Sequence, residues 1–196
     1  MTSYREYLMT TDRQKTFIAT LGTETSLLHF LDVMHGKRTI VTSTLFSGGF
    51  FTGRPQERDD SHFLGLRPEA PIDARPRLTL YFRHTNLGYR LYIRTPGSYY
   101  GKCLSTSEEG LIGAFPPTGS ETFHLLHNNG KPLTLDHLNK DRTRIYLQVR
   151  NSGLMHVHNV HDSPYIYIAD KGGAPLVFNL NIQERNAPYI NHPDEV

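Results

Sequence analysis

Arg90-Leu91-Tyr92-Ile93 has the form of a short β-strand that begins with an arginine, and two other runs share this form: Arg38-Thr39-Ile40-Val41 and Arg144-Ile145-Tyr146-Leu147. The three arginines are 52 and 54 residues apart. A second apolar run follows each arginine after 25, 21 and 21 residues, and these second runs begin at Phe63, Leu111 and Tyr165. Similar segments that recur at a nearly constant period indicate a repeat architecture. The spacing therefore predicts three similar structural units.

The runs themselves predict an all-β protein. Most are four to eight residues long, rich in Ile, Val, Tyr, Phe and Thr, and bounded by Gly, Pro, Asn or Asp, which is typical of sandwiches and barrels. First strands are predicted at 26–29, 78–82 and 133–136, and the last strands of the second and third units at 123–126 and 178–182. The first unit has a proline-rich stretch, 67–77, where its last strand is expected, and proline removes a hydrogen-bond donor there.

Three four-stranded units of this length resemble the β-trefoil, the fold shared by ricin-B-type lectins, fascins, fibroblast growth factors and Kunitz-type plant inhibitors. The segments Tyr99–Ser105 and Glu121–Leu125 are similar to the fascin pattern of a short strand, a glycine turn and a closing Phe-x-Leu. The ricin-type Gln-x-Trp repeat is absent because the chain has no tryptophan. The resemblance implies a six-stranded barrel capped by hairpins. It places an N-terminal extension at 1–24, a trefoil domain at 25–185 and a tail at 186–196, with units at about 25–77, 78–132 and 133–185.

Composition narrows the classes of partner. The chain has 21 basic and 19 acidic residues, a formal net charge of +2, and no basic cluster, so no nucleic-acid partner is expected. Its one cysteine, Cys103, excludes an intrachain disulfide and a cysteine-based metal site. The first residues lack a signal-peptide pattern, and no apolar run approaches the ~20 residues that span a bilayer. We expect a soluble protein without a membrane span, either cytoplasmic or exported by a route not encoded at the N-terminus.

Histidines form the densest group of candidate metal ligands. The segment Met155–Asp162 contains His156, His158 and His161, and residues 156 and 158 of a strand share a face, as a transition-metal chelate requires. A jelly-roll metal enzyme of the cupin type would also need a Glu a few residues later, and none follows. The favoured interpretation places His156 and His158 on the surface, with Met155 and Val157 inside. A metal-dependent enzyme that uses His156 and His158 stays an alternative, and no cofactor is predicted.

Signatures of nucleophilic catalysis are absent from the sequence. There is no Gly-x-Ser-x-Gly motif and no Gly-x-x-x-x-Gly-Lys phosphate loop. A lone cysteine such as Cys103 is usually a buried structural residue rather than an activated thiol. The expectation is therefore a protein that is not an enzyme.

Acidic, amide and aromatic residues recur in the loops after the arginine runs. A sugar is held by planar polar groups that bind adjacent hydroxyls, while an aromatic ring covers its C–H face. The sequence therefore predicts a lectin-like carbohydrate-binding module, with a role in defence or toxicity. The predicted ligand-binding residues are Tyr99, Tyr100, Lys102, His158, Asn159, Asp162 and Tyr165. An alternative is a protein–protein interaction module, such as a protease inhibitor or a cytoskeletal or receptor binder, that uses the stretch 67–77 as a protruding loop.

Overall fold

The computed structural model describes residues 12–43, 46–47, 50–51, 56–68 and 77–192. Within these ranges the regular secondary structure is mostly β-strand. In chain order the elements are β1 (Phe17–Gly22), β2 (Ser26–Phe30), α1 (Leu31–His35), β3 (Ile40–Ser43), β4 (Phe46–Ser47), β5 (Phe50–Phe51), β6 (Gln56–Asp59), β7 (Leu64–Pro68), β8 (Leu78–Thr85), β9 (Gly88–Ile93), β10 (Cys103–Thr106), β11 (Ile112–Phe115), β12 (Phe123–Leu126), β13 (Pro132–Leu133), a 3-10 helix (Leu135–His137), β14 (Arg142–Val149), β15 (His156–Asn159), β16 (Ile166–Ala169) and β17 (Phe178–Arg185).

Six of these strands form a closed antiparallel barrel. The strands follow one another around the barrel as β9, β8, β1, β17, β14 and β12, and a pairing between β12 and β9 closes it. Alternate side chains point inward, as the two-residue period of a strand requires. Three strands supply the following inward residues, all fully or almost fully buried: Leu78, Leu80, Phe82, Ile145, Leu147, Val149, Phe178, Leu180 and Ile182. The barrel interior is therefore a packed apolar core.

The remaining strands lie outside the barrel. The strands β15, β16, β7 and β2 form a separate four-stranded sheet in that order, and β10 and β11 form a hairpin joined to β9 through Cys103 and Tyr92. Two further antiparallel pairs are short: β3 pairs with β6, each of four residues, and β4 pairs with β5, each of two residues. The short helix α1 ends at Gly36, whose φ of 68° is the left-handed conformation that favours glycine. Its buried face, Leu31 and Met34, belongs to a small apolar cluster beside the four-stranded sheet.

The segment after β17 is held against the outer face of β8. The hydroxyl of Tyr81 donates to the carbonyl of Pro188 at 2.8 Å and accepts from the backbone N–H of Ile190 at 3.0 Å. Arg83 donates to the carbonyl of Ile190 at 2.6 Å. Ile190 thereby packs in one cluster with Tyr81 and the buried Cys103.

The all-β prediction is confirmed, but the prediction of a β-trefoil built from three four-stranded units is wrong. The runs at Arg90 and Arg144 are barrel strands β9 and β14, whereas the run at Arg38 leads into β3, which pairs with β6 in a separate two-stranded sheet. The predicted strand at 133–136 is a two-residue strand followed by a 3-10 helix. The barrel strand β1 lies in the segment 1–24 that was predicted as an extension. Alternation of apolar residues indicates a half-buried strand but does not identify the strand that it pairs with. The similar runs at Arg38, Arg90 and Arg144 therefore do not all belong to the same sheet.

Candidate functional site

Tyr99, from the first predicted loop, fastens that loop to α1. Its hydroxyl donates to the carboxylate of Asp32 at 2.8 Å, and its ring lies 4.6 Å from that of Phe30. Burial, together with the nearby Asp32 carboxylate, raises the pKa of the Tyr99 hydroxyl. The ammonium group of Lys102 lies 5.3 Å from the centre of the Tyr99 ring. One face of this ring is therefore already covered by a cation, and the hydroxyl has a protein partner.

Tyr100 is the most exposed of the predicted residues of this loop. Its side chain is 49% exposed, and its hydroxyl accepts a hydrogen bond from Arg94 at 2.8 Å. The same guanidinium lies 5.5 Å from the centre of the Tyr100 ring. Arg94 therefore occupies both the polar and the aromatic part of Tyr100 that a sugar would use.

The second predicted loop lies near the other end of α1. The ring of Tyr165 packs 4.9 Å from that of His35, the last residue of the helix. Asn159 is exposed, His158 is half-buried, and Asp162 is an exposed residue with a φ of 64° that pairs with His161 at 3.0 Å. The predicted loops thus both contact α1, one at Asp32 and one at His35.

The structure does not complete the alternative metal site. Met155 is buried and His156 and His158 are half-buried on β15, where the imidazole Nδ1 of His156 lies 2.5 Å from the carbonyl oxygen of Leu154. Among the described residues no group of three or more His, Cys, Asp and Glu could hold a metal ion. The histidine pair therefore has no third ligand in that part of the chain. Residues 69–76, most of the proline-rich stretch predicted to contact a protein partner, lie outside the described ranges.

A cleft of about 610 Å³ opens at one end of the barrel. It lies where β1 ends and where β2, β8, β14 and β17 begin. Five lining leucines are buried: Leu21, Leu27, Leu28, Leu78 and Leu180. Its other lining residues are polar or charged side chains and one glycine. The cleft thus has buried leucines among polar and charged residues.

Strand register arranges the polar groups in two rows across three neighbouring strands. In the first row Thr20, Asn181 and Arg142 lie directly opposite one another on β1, β17 and β14. Side chains opposite each other in antiparallel strands have Cβ atoms about 5 Å apart, so neighbours in a row can bind one small molecule. The second row is Gly22, Asn179 and Arg144. All six positions alternate with inward-facing residues and therefore face away from the barrel core.

The amide and the guanidinium of the first row, Asn181 and Arg142, are available to a ligand, whereas Thr20 is buried. Within the described part of the chain, the side chains of Asn181 and Arg142 have no hydrogen-bond or ion-pair partner, and the same holds for Asn179. Arg144 differs, because its guanidinium pairs with the carboxylate of Glu24 at 2.6 Å and both side chains are more than half exposed. Each row therefore contains an amide that can donate and accept, with a guanidinium beside it.

The space beside Gly22 is open. A Cβ atom added at this glycine would meet nothing within 4 Å. The backbone there is not in the left-handed region, so a larger residue could be introduced without backbone strain. Gly22 therefore offers a position from which a side chain can be made to fill the cleft.

The sequence contained part of the signal for this site. The alternation in Phe178–Ile182 and in 142–145 marks Asn179, Asn181, Arg142 and Arg144 as outward-facing strand residues. What the sequence did not reveal is that β14 and β17 are neighbours with Asn181 opposite Arg142.

Comparison with known proteins supplies no relative for this chain, since no protein-family model, no curated protein and no solved structure matches it. Within the described ranges, no helix is long and apolar enough to span a lipid bilayer. The interpretation of the cleft consequently depends on the side chains that line it.

Proposed function

We propose that this protein is a non-enzymatic carbohydrate-binding module whose ligand site is the barrel-end cleft. The proposal is based on the two cross-strand rows. In each row an asparagine of β17 lies between a residue of β1 and an arginine of β14: Asn181 is opposite Arg142, and Asn179 is opposite Arg144. An amide offers donors and an acceptor in one plane, which matches two adjacent sugar hydroxyls. A guanidinium offers further donors in a fixed fork.

The shape of the cleft supports the same ligand class. Its volume of about 610 Å³ lies within the ~300–1,000 Å³ typical of small-molecule sites. Its described lining residues include leucines but none of the aromatic rings expected from the sequence.

The lining residues favour binding over hydrolysis. Glycoside hydrolysis uses two carboxyl groups on either side of the scissile bond. Among the described residues that line the cleft, Glu24 is the one carboxylate, and it is paired with Arg144. A pair of carboxyl groups for acid–base chemistry is therefore not present on these walls.

The test is a glycan array followed by calorimetric titration of the sugars that bind. We expect Asn181→Ala to weaken binding about fivefold to tenfold, the loss of one or two hydrogen bonds. Gly22→Trp should abolish binding by filling the cleft, and thermal unfolding would verify that the variant is folded.

Asn159→Ala is the matched control, because Asn159 is an exposed asparagine in the loop site predicted from the sequence. If Asn159→Ala weakens binding while Asn181→Ala and Gly22→Trp do not, the ligand site is in the loops and the cleft assignment is wrong. An array without any bound glycan would refute carbohydrate binding itself.

A further inference from the structure

We infer that the cleft selects an acidic sugar, one whose carboxylate or sulfate is held by Arg142, and this inference rests on the proposed carbohydrate-binding function. The starting observation is local charge. Two arginines of β14, Arg142 and Arg144, line the cleft, and the described lining residues include one carboxylate, Glu24, which pairs with Arg144. The guanidinium of Arg142 is therefore not offset by a carboxylate among these described residues.

Arg142 is the residue available to an anion. Glu24 neutralises Arg144, whereas no acidic side chain of the described ranges pairs with Arg142. The guanidinium fork binds two oxygens of a carboxylate or sulfate at once, and such charge-assisted hydrogen bonds are roughly twice as strong as neutral ones. Because Asn181 lies directly opposite Arg142, an anion on Arg142 places the neighbouring hydroxyls of the same sugar against the amide.

The remaining features favour a sugar over a polyanion such as nucleic acid. Binding of single-stranded nucleic acid relies on aromatic rings that stack on bases, and none of the described lining residues is aromatic. The guanidinium of Arg142 beside the amide of Asn181 suits a ring that carries a single acidic group.

The experiment compares sugars that differ only in the acidic group. Galactose is paired with galacturonic acid and with galactose 6-sulfate, and glucose is paired with glucuronic acid, each titrated at low salt. We expect the acidic member of a pair to bind at least about tenfold more tightly. Its affinity should also fall as salt is raised, because salt screens the contact with Arg142. The carboxylated and sulfated arms distinguish which oxyanion the site prefers.

Variants assign the preference to one side chain. Arg142→Gln should weaken binding of the acidic sugar at least about tenfold and binding of its neutral partner by less, so that the two affinities converge. Arg142→Lys should restore part of the preference. Arg150→Gln is the control, because Arg150 follows the opposite end of β14 and should leave both affinities unchanged.

The outcomes separate the two proposals. Equal affinity for neutral and acidic sugars, or a preference that survives Arg142→Gln, would overturn the acidic-sugar inference and leave carbohydrate binding intact. Failure of every sugar in both series would overturn both. Inorganic sulfate or acetate binding as tightly as the acidic sugars would show a general anion site, and tighter Arg142-dependent binding of a single-stranded oligonucleotide would show a nucleic-acid site. Either result would overturn the inference.

Discussion

Asp60 follows β6 and has a carboxylate that is 0% exposed. Arg58 donates to it through Nε at 2.6 Å and through Nη2 at 3.1 Å, and the buried hydroxyl of Tyr167 on β16 donates to it as well. This network connects the β3–β6 pair with the four-stranded sheet. Replacement of Asp60 by alanine removes the acceptor of three hydrogen bonds at once and leaves their donors in place.

The free-energy cost follows from what remains after the substitution. Removal of one partner from a fully buried ion pair costs about 3–5 kcal/mol, because the other charge is left without compensation. Here Arg58 is 37% exposed and keeps its contact with Glu109 at 2.8 Å, so solvent and Glu109 stabilise the guanidinium. The hydroxyl of Tyr167 keeps Ser163 as a neighbour at 2.7 Å. We therefore expect Asp60→Ala to lower the free energy of unfolding by about 2–3 kcal/mol.

Equilibrium unfolding in urea, followed by circular dichroism, measures this loss. Asp141→Ala is the matched control, because Asp141 is 67% exposed and pairs with Arg185 at 2.9 Å. An exposed pair of this kind contributes about 0–1 kcal/mol. A loss for Asp60→Ala that equals the loss for Asp141→Ala would refute the reasoning. Combination with Tyr167→Phe should give less than additive losses, because both substitutions remove the same hydrogen bond.

Two further predictions concern titration and thiol reactivity. The hydroxyl of Ser61 and the guanidinium of Arg38 lower the pKa of Asp59 to about 2, below the unfolded value of about 4. The stability that this carboxylate contributes is thus complete above pH 4 and is lost as the pH falls through 2. Asp59→Asn should therefore flatten the acid-unfolding curve between pH 4 and pH 2. An unchanged curve would contradict the lowered pKa of Asp59. Burial raises the pKa of the Cys103 thiol to about 11, and the native thiol should resist labelling by an aromatic disulfide at neutral pH. Ile190→Ala, which removes part of its cover, should speed labelling about tenfold, and equal rates would mean that the segment after β17 does not protect the thiol.

The sequence predicts the positions of strands better than it predicts which strands pair with each other. The predicted runs at 123–126 and 178–182 coincide with β12 and with the first half of β17, because alternation and bounding turn residues are local signals. The strand β1 was missed, although it pairs with both β8 and β17. None of its six residues is charged, and Thr20 is its one polar residue, so polar and apolar residues do not alternate and the strand pattern is weak despite the central position of the segment.

In the candidate site, too, the sequence predicts local features but not the contacts between distant residues. The turn residues Tyr99 and Tyr100 were chosen for their chemistry, but the structure gives their hydroxyls to Asp32 and Arg94. The Tyr99–Asp32 contact joins residues far apart in the chain, and the Tyr100–Arg94 contact crosses a turn. Neither contact can be predicted from the local sequence pattern. In the sequence, Asn181 and Arg142 are two outward-facing strand residues with no sign of a relation to each other. The pairing register of β14 and β17 places them opposite each other, and the proposed site depends on this register.

The position of β1 between β8 and β17 also constrains biogenesis. While the polypeptide emerges from the ribosome, β1 can pair with β8 early, but its other edge stays open until β17 has been synthesised. Arg142 and Asn181 can come together only after β17 has been synthesised. An open strand edge exposed for so long invites pairing with other nascent chains, and protection by a holding chaperone during synthesis would therefore improve the yield of native protein.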